Sequence, residues 1–163
     1  MLEFVQKKLS GLNIEMDSSW NLKEILGVSD RDLTETLLDK ALSKFGDAIV
    51  NFTYSLAKSI VLQIPMGEKV PDKTLGSALR ATALRKQVPP HAKIGTLGDA
   101  VEAFVAFMWL TERLSLQRIV EILVDNLKYR DLSDRKKERR AARDAYIALL
   151  ETSLKILKKE NII

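Results

Sequence analysis

The stretch Gly98-Asp99-Ala100-Val101-Glu102-Ala103-Phe104 sets two carboxylates three positions apart in a segment that is otherwise apolar. On a helix, residues three apart are neighbours on one face, so Asp99 and Glu102 point the same way. Glu102 is the costly one. It is followed by Ala103, Phe104, Val105, Ala106 and Phe107, and a charged side chain among such residues is disfavoured unless it has a partner. The opening of this stretch recurs earlier as Gly46-Asp47-Ala48-Ile49-Val50-Asn51-Phe52. The repeat is read as a matched pair of crossing helices, because two copies are too few for a solenoid. Each glycine lets another backbone come close where an acid emerges. If the two helix starts cross there, Asp47, Asp99 and Glu102 converge.

Outward from these stretches, the pattern is helical throughout. Residues 2 to 9 can form a short amphipathic helix, and Trp20 to Leu26 reads as one or two turns closed by Gly27. Ser29 and Asp30 offer an N-cap for a helix carrying Leu33, Leu37, Leu38, Ala41 and Leu42, which runs straight at the first Gly-Asp. From Asp47 to about Leu62 the chain is apolar on most sides, so that helix is expected to be central. Pro65 and Gly67 end it. Asp72 is placed to cap a helix through Leu75, Leu79 and Leu84, stopped by Pro89-Pro90. A connector, His91 to Thr96, leads to a helix over Asp99 to Leu110, then an amphipathic one over Leu114 to Leu127. After Ser133 and Asp134 a long helix over 133–160 has a charged first half and Tyr146, Leu149, Leu150 and Leu157 at core-facing spacing. No run alternates apolar and polar residues between turn signals, so the fold class is all-α.

The chain has 163 residues, 46% hydrophobic and 29% charged, which suits a single domain with its own core. It has no cysteine, which excludes thiolate nucleophiles and cysteine-based zinc sites. The first residues lack the order of a signal peptide and no apolar run reaches membrane-spanning length, so a soluble cytoplasmic protein without membrane association is expected. The net charge of +4 leans towards a polyanionic partner. Its distribution says more: Arg135 to Arg143 holds six basic residues against one acid, Glu138.

Three carboxylates sharing a half-buried site repel one another, and a hard divalent cation offsets that charge. Oxygen ligands without cysteine favour Mg²⁺ or Mn²⁺ over zinc. Such an ion can activate water and stabilise charge on a phosphodiester, so metal-dependent phosphodiester hydrolysis is the chemistry these residues suit. The plainer alternative is that each aspartate is a helix cap and Asp99 with Glu102 an ordinary pair on a solvated helix.

The same residues carry a family resemblance. Phe45-Gly46-Asp47-Ala48-Ile49 resembles the Leu-Gly-Asp-Ala-Val element of ribonuclease III catalytic domains, and Asp99-Ala100-Val101-Glu102-Ala103 resembles their second acidic element. Leu79 to Gln87, with Arg80-Ala81-Thr82, is similar to the basic segment of the short, stand-alone members called mini-ribonuclease III; archaeal ribonuclease III-like proteins are a further likeness. The resemblance spans about residues 30 to 128. It implies a homodimeric, all-helical endonuclease that cuts double-stranded or structured RNA, ribosomal RNA among the candidates, with Mg²⁺ or Mn²⁺, leaving 5′-phosphate and 3′-hydroxyl ends. Carried over by position, Asp47, Asp99 and Glu102 are the metal-binding and catalytic acids.

Two positions depart from the family pattern. Many members carry a glutamate four residues before the first aspartate, where this chain has Ser43, and an apolar or aromatic dimer contact three before it, where this chain has Lys44 beside Phe45. No separate double-stranded-RNA-binding domain is read in the sequence, so the core itself is expected to hold RNA, through Arg80, Arg85, Lys86 and Lys93 and through Arg135, Lys136, Lys137, Arg139, Arg140 and Arg143. Such backbone binding is salt-sensitive. The competing reading of the second cluster is a solvated face paired with Asp131, Asp134 and Asp144. His91 is assigned no catalytic role, and Trp20, Trp109 and Tyr129 are read as packing or interface residues. Two rivals stand beside the nuclease: a catalytically degenerate RNA-binding protein on the same fold, and a helical interaction module that docks through its last helix.

Overall fold

The computed structural model describes residues 21–29 and 31–163. The helix read over residues 2 to 9, Trp20 and the Asp30 half of the expected cap lie outside these. Among the described residues the chain is all-α, with no strand. In order it forms α1 (Leu22–Ile25), α2 (Leu33–Leu38), α3 (Lys40–Leu62), α4 (Asp72–Arg80), a 3₁₀ turn (Ala83–Gln87), α5 (Ile94–Leu110), α6 (Leu116–Leu127) and α7 (Arg135–Lys159).

Capping chemistry corrects several of the expected boundaries. The single helix expected to run from Asp30 into the first Gly-Asp is two helices, α2 and α3. Asp32 caps α2 by accepting from the Thr34 and Glu35 amides. Asp39 does the same for α3, from Ala41 and Leu42. The Leu42 amide, foremost, holds the Asp39 carboxyl below its ordinary pKa against the effect of burial, with help from Arg31. Pro71, not Asp72, occupies the cap position of α4, and Asp72 lies in its first turn. That helix stops at Arg80, and Leu84 is buried from the following 3₁₀ turn instead. Ser115 caps α6 by accepting from the Arg118 amide, and Asp134 caps α7 by accepting from the Lys136 and Lys137 amides.

The central element is α5, not α3. Residues Val101 to Met108 are all buried, whereas α3 leaves Phe52, Leu56 and Ile60 exposed along its outer side. α3 and α4 both pack on α5, α6 packs on α3, and α7 closes the bundle against α4 and α6. Burying each leucine of the Leu75, Leu79 and Leu84 row, none of them exposed, contributes about 1.5–3 kcal/mol. α7 is anchored by Tyr146, fully buried, whose hydroxyl donates to the Val50 carbonyl at 3.2 Å.

Candidate acidic site at a helix crossing

Both Gly-Asp pairs sit beyond the first turn of their helices, so the expected meeting of two helix starts does not occur. The crossing is lopsided. A Cβ on Gly46 would lie 2.0 Å from the Glu102 carbonyl oxygen, so α3 and α5 touch backbone to backbone at that point. A Cβ on Gly98 would meet a different element: the Asp72 carbonyl oxygen at 2.9 Å and its Cβ at 3.0 Å. One glycine brings α3 onto the acid helix; the other brings the start of α4.

This geometry assembles Asp47 and Glu102. Glu102 is buried at 5% exposure, with Asp47 within hydrogen-bonding reach. Burial is the main reason its carboxyl is pushed up to about 7; a hydrogen bond from Ser43 opposes the rise, and the charges of Asp47 and Asp72 add to it. Ser43 Oγ donates to Glu102 Oε2 at 3.0 Å. Position 43 therefore holds a buried hydroxyl that favours the anionic form of Glu102. Asp47 Oδ1 accepts from Asn51 Nδ2 at 2.8 Å, and Asn51 Oδ1 in turn accepts from the Val70 amide at 2.9 Å.

Asp99 does not join this pair. Its carboxylate is ion-paired with the Lys40 ammonium, on a side chain that is largely exposed. Among the described residues no three acid or histidine side chains stand close enough together to hold an ion as they are arranged. The acids that do surround the crossing are Asp47, Glu102, Asp99 and, through Gly98, Asp72. Sequence reasoning misses Asp72 and Lys40. Asp72 looks like a cap, and only the contact of Gly98 reveals what it faces. Asn51 is legible in principle, lying one helical turn after Asp47 within the quoted repeat.

The basic residues fall into two groups. Arg80, Lys86 and Lys93 are exposed, but the Arg85 guanidinium donates to the carbonyls of Val88, Pro89 and Pro90 and so braces that turn. On α7, Lys137 pairs with Asp131 at 2.6 Å and Arg143 lies 3.7 Å from Asp144, whereas Arg135, Lys136, Arg139 and Arg140 are exposed. Trp109 is half-buried and stacked on Phe45, with ring centroids 6.1 Å apart. Tyr129 is 88% exposed and packs no core. His91 is exposed in a turn. No helix among the described residues is long and apolar enough to cross a membrane.

A family model described as Ribonuclease III matches residues 40–159, which span every acid of the crossing. No curated protein sequence matches the chain.

Proposed function

Because the chain belongs to the ribonuclease III family of RNA-cleaving endoribonucleases, we propose that it is a metal-dependent endonuclease for double-stranded or structured RNA, acting as a homodimer and leaving 5′-phosphate and 3′-hydroxyl ends. The observation that carries the reading is Glu102, a carboxylate buried at a helix crossing against a second carboxylate, Asp47.

The donor set fits a hard divalent cation. Asp47 and Glu102 lie within hydrogen-bonding reach of each other, and the repulsion that helps to raise the Glu102 pKa is what a cation there would relieve. Bound Mg²⁺ or Mn²⁺ supplies Lewis acidity for a phosphodiester oxygen and lowers the pKa of water. The chain's own residues then have distinct tasks. Ser43 holds the Glu102 carboxylate in place and favours its ionised form. Asn51 orients Asp47. Asp99, now paired with Lys40, would hold the cation as a further oxygen ligand, and Asp72 would contribute negative charge from the facing helix.

Support for the homodimer comes from the outer side of α3. Phe52, Leu56 and Ile60 are 40 to 55% exposed and, with Leu116, Val120 and Val124 of α6, line an apolar groove of about 630 Å³ rimmed by Arg118 and Glu121. Phe45, 42% exposed, continues this stripe. A contiguous apolar surface of this kind marks an interaction site, and a second copy presenting the same stripe covers it symmetrically. Lys44 is exposed beside Phe45, so the contacts of this dimer are built from Phe45 and the α3 stripe.

The direct test is cleavage of an RNA duplex with Mg²⁺. Wild type should cut it, and Asp99→Asn should bind but not cut. No metal-dependent cleavage by wild type, with RNA binding unchanged in Asp99→Asn, would overturn the nuclease reading. The second reading, an RNA-binding protein that does not cut, is favoured by Ser43 and by the Lys40–Asp99 pair, which leave fewer free acids for a metal. Mn²⁺ titration separates the two, since a catalytic site binds Mn²⁺ in a way that Glu102→Gln weakens.

A further inference from the structure

A cationic cleft adjoins the acidic crossing. Between the loop that follows α3 and the first turns of α7 lies a cavity of about 440 Å³, lined among others by Tyr54, Glu68, Lys69, Arg135, Glu138 and Arg139. Its acids are already occupied. Lys58, 4% exposed, donates to Glu68 at 2.9 Å and lies 2.6 Å from Glu138. Tyr54 also donates its hydroxyl to Glu138, at 3.1 Å. Burial works against the Lys58 charge, but the two carboxylates outweigh it and leave the pKa above the ordinary lysine value, so Lys58 engages both acids and offsets one of their two negative charges on the core side of the cleft.

The cations of the cleft are in the opposite situation. Among the described residues no carboxylate stands within ion-pairing distance of Lys69, Arg135 or Arg139, although neighbours on the same helix are paired: Lys137 with Asp131 and Asp134, and Arg143 with Asp144. Three exposed, unpaired cations thus face a cavity whose acids are held by a fourth, buried one.

Chain connectivity ties the cleft to the acids. Val70, which lines it, donates its amide to Asn51, the residue that orients Asp47. Three residues after Lys69 comes Asp72, which packs on Gly98. Three residues of chain reach at most about 11 Å, a distance that a nucleic-acid backbone covers in a few nucleotides.

We propose that this cleft binds the phosphodiester backbone of the RNA duplex, with Lys69, Arg135 and Arg139 on phosphate oxygens and Lys58 as the positioning residue that keeps Glu68 and Glu138 from opposing them. This deepens the RNA reading above and rests on it. It divides the basic segment of α7 into residues that grip RNA in the cleft and residues that only add to the surface field. Lys58 itself touches no phosphate; its removal would return two carboxylates to the cleft.

The test is binding of a fluorescein-labelled RNA duplex in metal-free buffer, where no cutting occurs, followed by anisotropy over a range of salt. Arg135→Ala/Arg139→Ala should weaken binding about tenfold or more and lower the salt slope by about two, one for each phosphate left without its arginine. The control Lys136→Ala/Arg140→Ala removes the same charge from the same helix and should cost clearly less. Lys58→Met should also weaken binding, and adding Glu68→Gln and Glu138→Gln to it should restore the loss, which a merely structural role for Lys58 would not allow. Equal losses from the arginine pair and the control pair, or no loss from either, would overturn the cleft assignment while duplex binding by wild type leaves the nuclease reading standing. No duplex binding by wild type even at low salt would remove the RNA reading and the cleft with it.

Discussion

Asp99 and Glu102 lie one helical turn apart on α5, yet their surroundings are opposite. Glu102 is buried against the Gly46 backbone, beside two other acids and a serine hydroxyl, and its carboxyl is pushed up to about 7. Asp99 is half-exposed and paired with the Lys40 ammonium. The difference comes from what crosses each position. Gly46 in α3 admits the Glu102 backbone, while Lys40, at the N-terminus of the same helix, reaches Asp99 and supplies a cation. One carboxylate is therefore buried at a cost in stability, and the other is neutralised by a lysine.

The largest expected effect removes the contact that creates the contrast. Gly46→Ala would place a methyl group 2.0 Å from the Glu102 carbonyl oxygen, which backbone atoms cannot accommodate without separating α3 from α5. The loss is expected to reach about 3 kcal/mol or more, read as a lowered urea midpoint with unchanged m-value. Near-wild-type stability would show that the helices do not touch there.

Next is Glu102→Gln, which keeps the shape and removes the charge. Its folded pKa is raised, so the carboxyl's contribution to stability is fully present below its unfolded value near 4.5 and is lost as pH rises to about 7. The metal-free wild type should therefore lose stability over that window, and the glutamine variant should not. Mn²⁺ affinity shows the reverse sign, because the ligand must be ionised: in wild type it should rise with pH up to about 7 and then level off, and in the variant it should fall at least about a hundredfold. A variant whose melting profile follows wild type through pH 5 to 7 would assign the titration elsewhere.

A smaller effect is expected from Ser43→Ala. The Ser43 hydrogen bond lowers the Glu102 pKa, so its loss should move the midpoint of the Mn²⁺ affinity profile upward by about one unit, the equivalent of one hydrogen bond to a charged group. An unmoved midpoint would mean that the hydroxyl does not act on Glu102.

Smallest is Lys40→Met. A pair with so exposed a lysine contributes about 0.2–1 kcal/mol, so removing this competitor should tighten Mn²⁺ binding by about two- to fivefold. Weaker binding would show that Lys40 helps the site bind metal and does not compete with it.

Much of this architecture is legible in the residues themselves. The cap at Asp134, the amphipathic run to Leu127 and the core row of α7 are local features, and they place α6 and α7 to within a residue or two of their observed ends. The break at Asp39 escapes the sequence pattern because leucine spacing continues through it from Leu33 to Leu42, and periodicity alone does not register a cap in the middle of a run. The centre of the bundle is misassigned for a related reason. α3 and α5 are both apolar on most sides, and nothing in either sequence says which will be covered by the rest of the chain and which will keep an apolar stripe for a partner. Glu138 stands out only as the lone acid in a basic run; Lys58, its buried partner, lies 80 positions away.

For the acidic stretch of α5, sequence alone determined that Glu102 is an anomaly, because a carboxylate among alanine, valine and phenylalanine on a helix needs a reason wherever the chain folds. It also raised the expectation that Asp47 comes close, through the glycine that permits close approach, but it grouped Asp99 with them, which the structure does not. Only the tertiary structure decided that Gly98 faces Asp72 and not the other Gly-Asp pair, that Ser43 supplies the hydrogen bond in place of a carboxylate, and that Lys40 takes Asp99. Those outcomes depend on the angle and register at which separate helices cross, and these are settled by the packing of the whole core against itself.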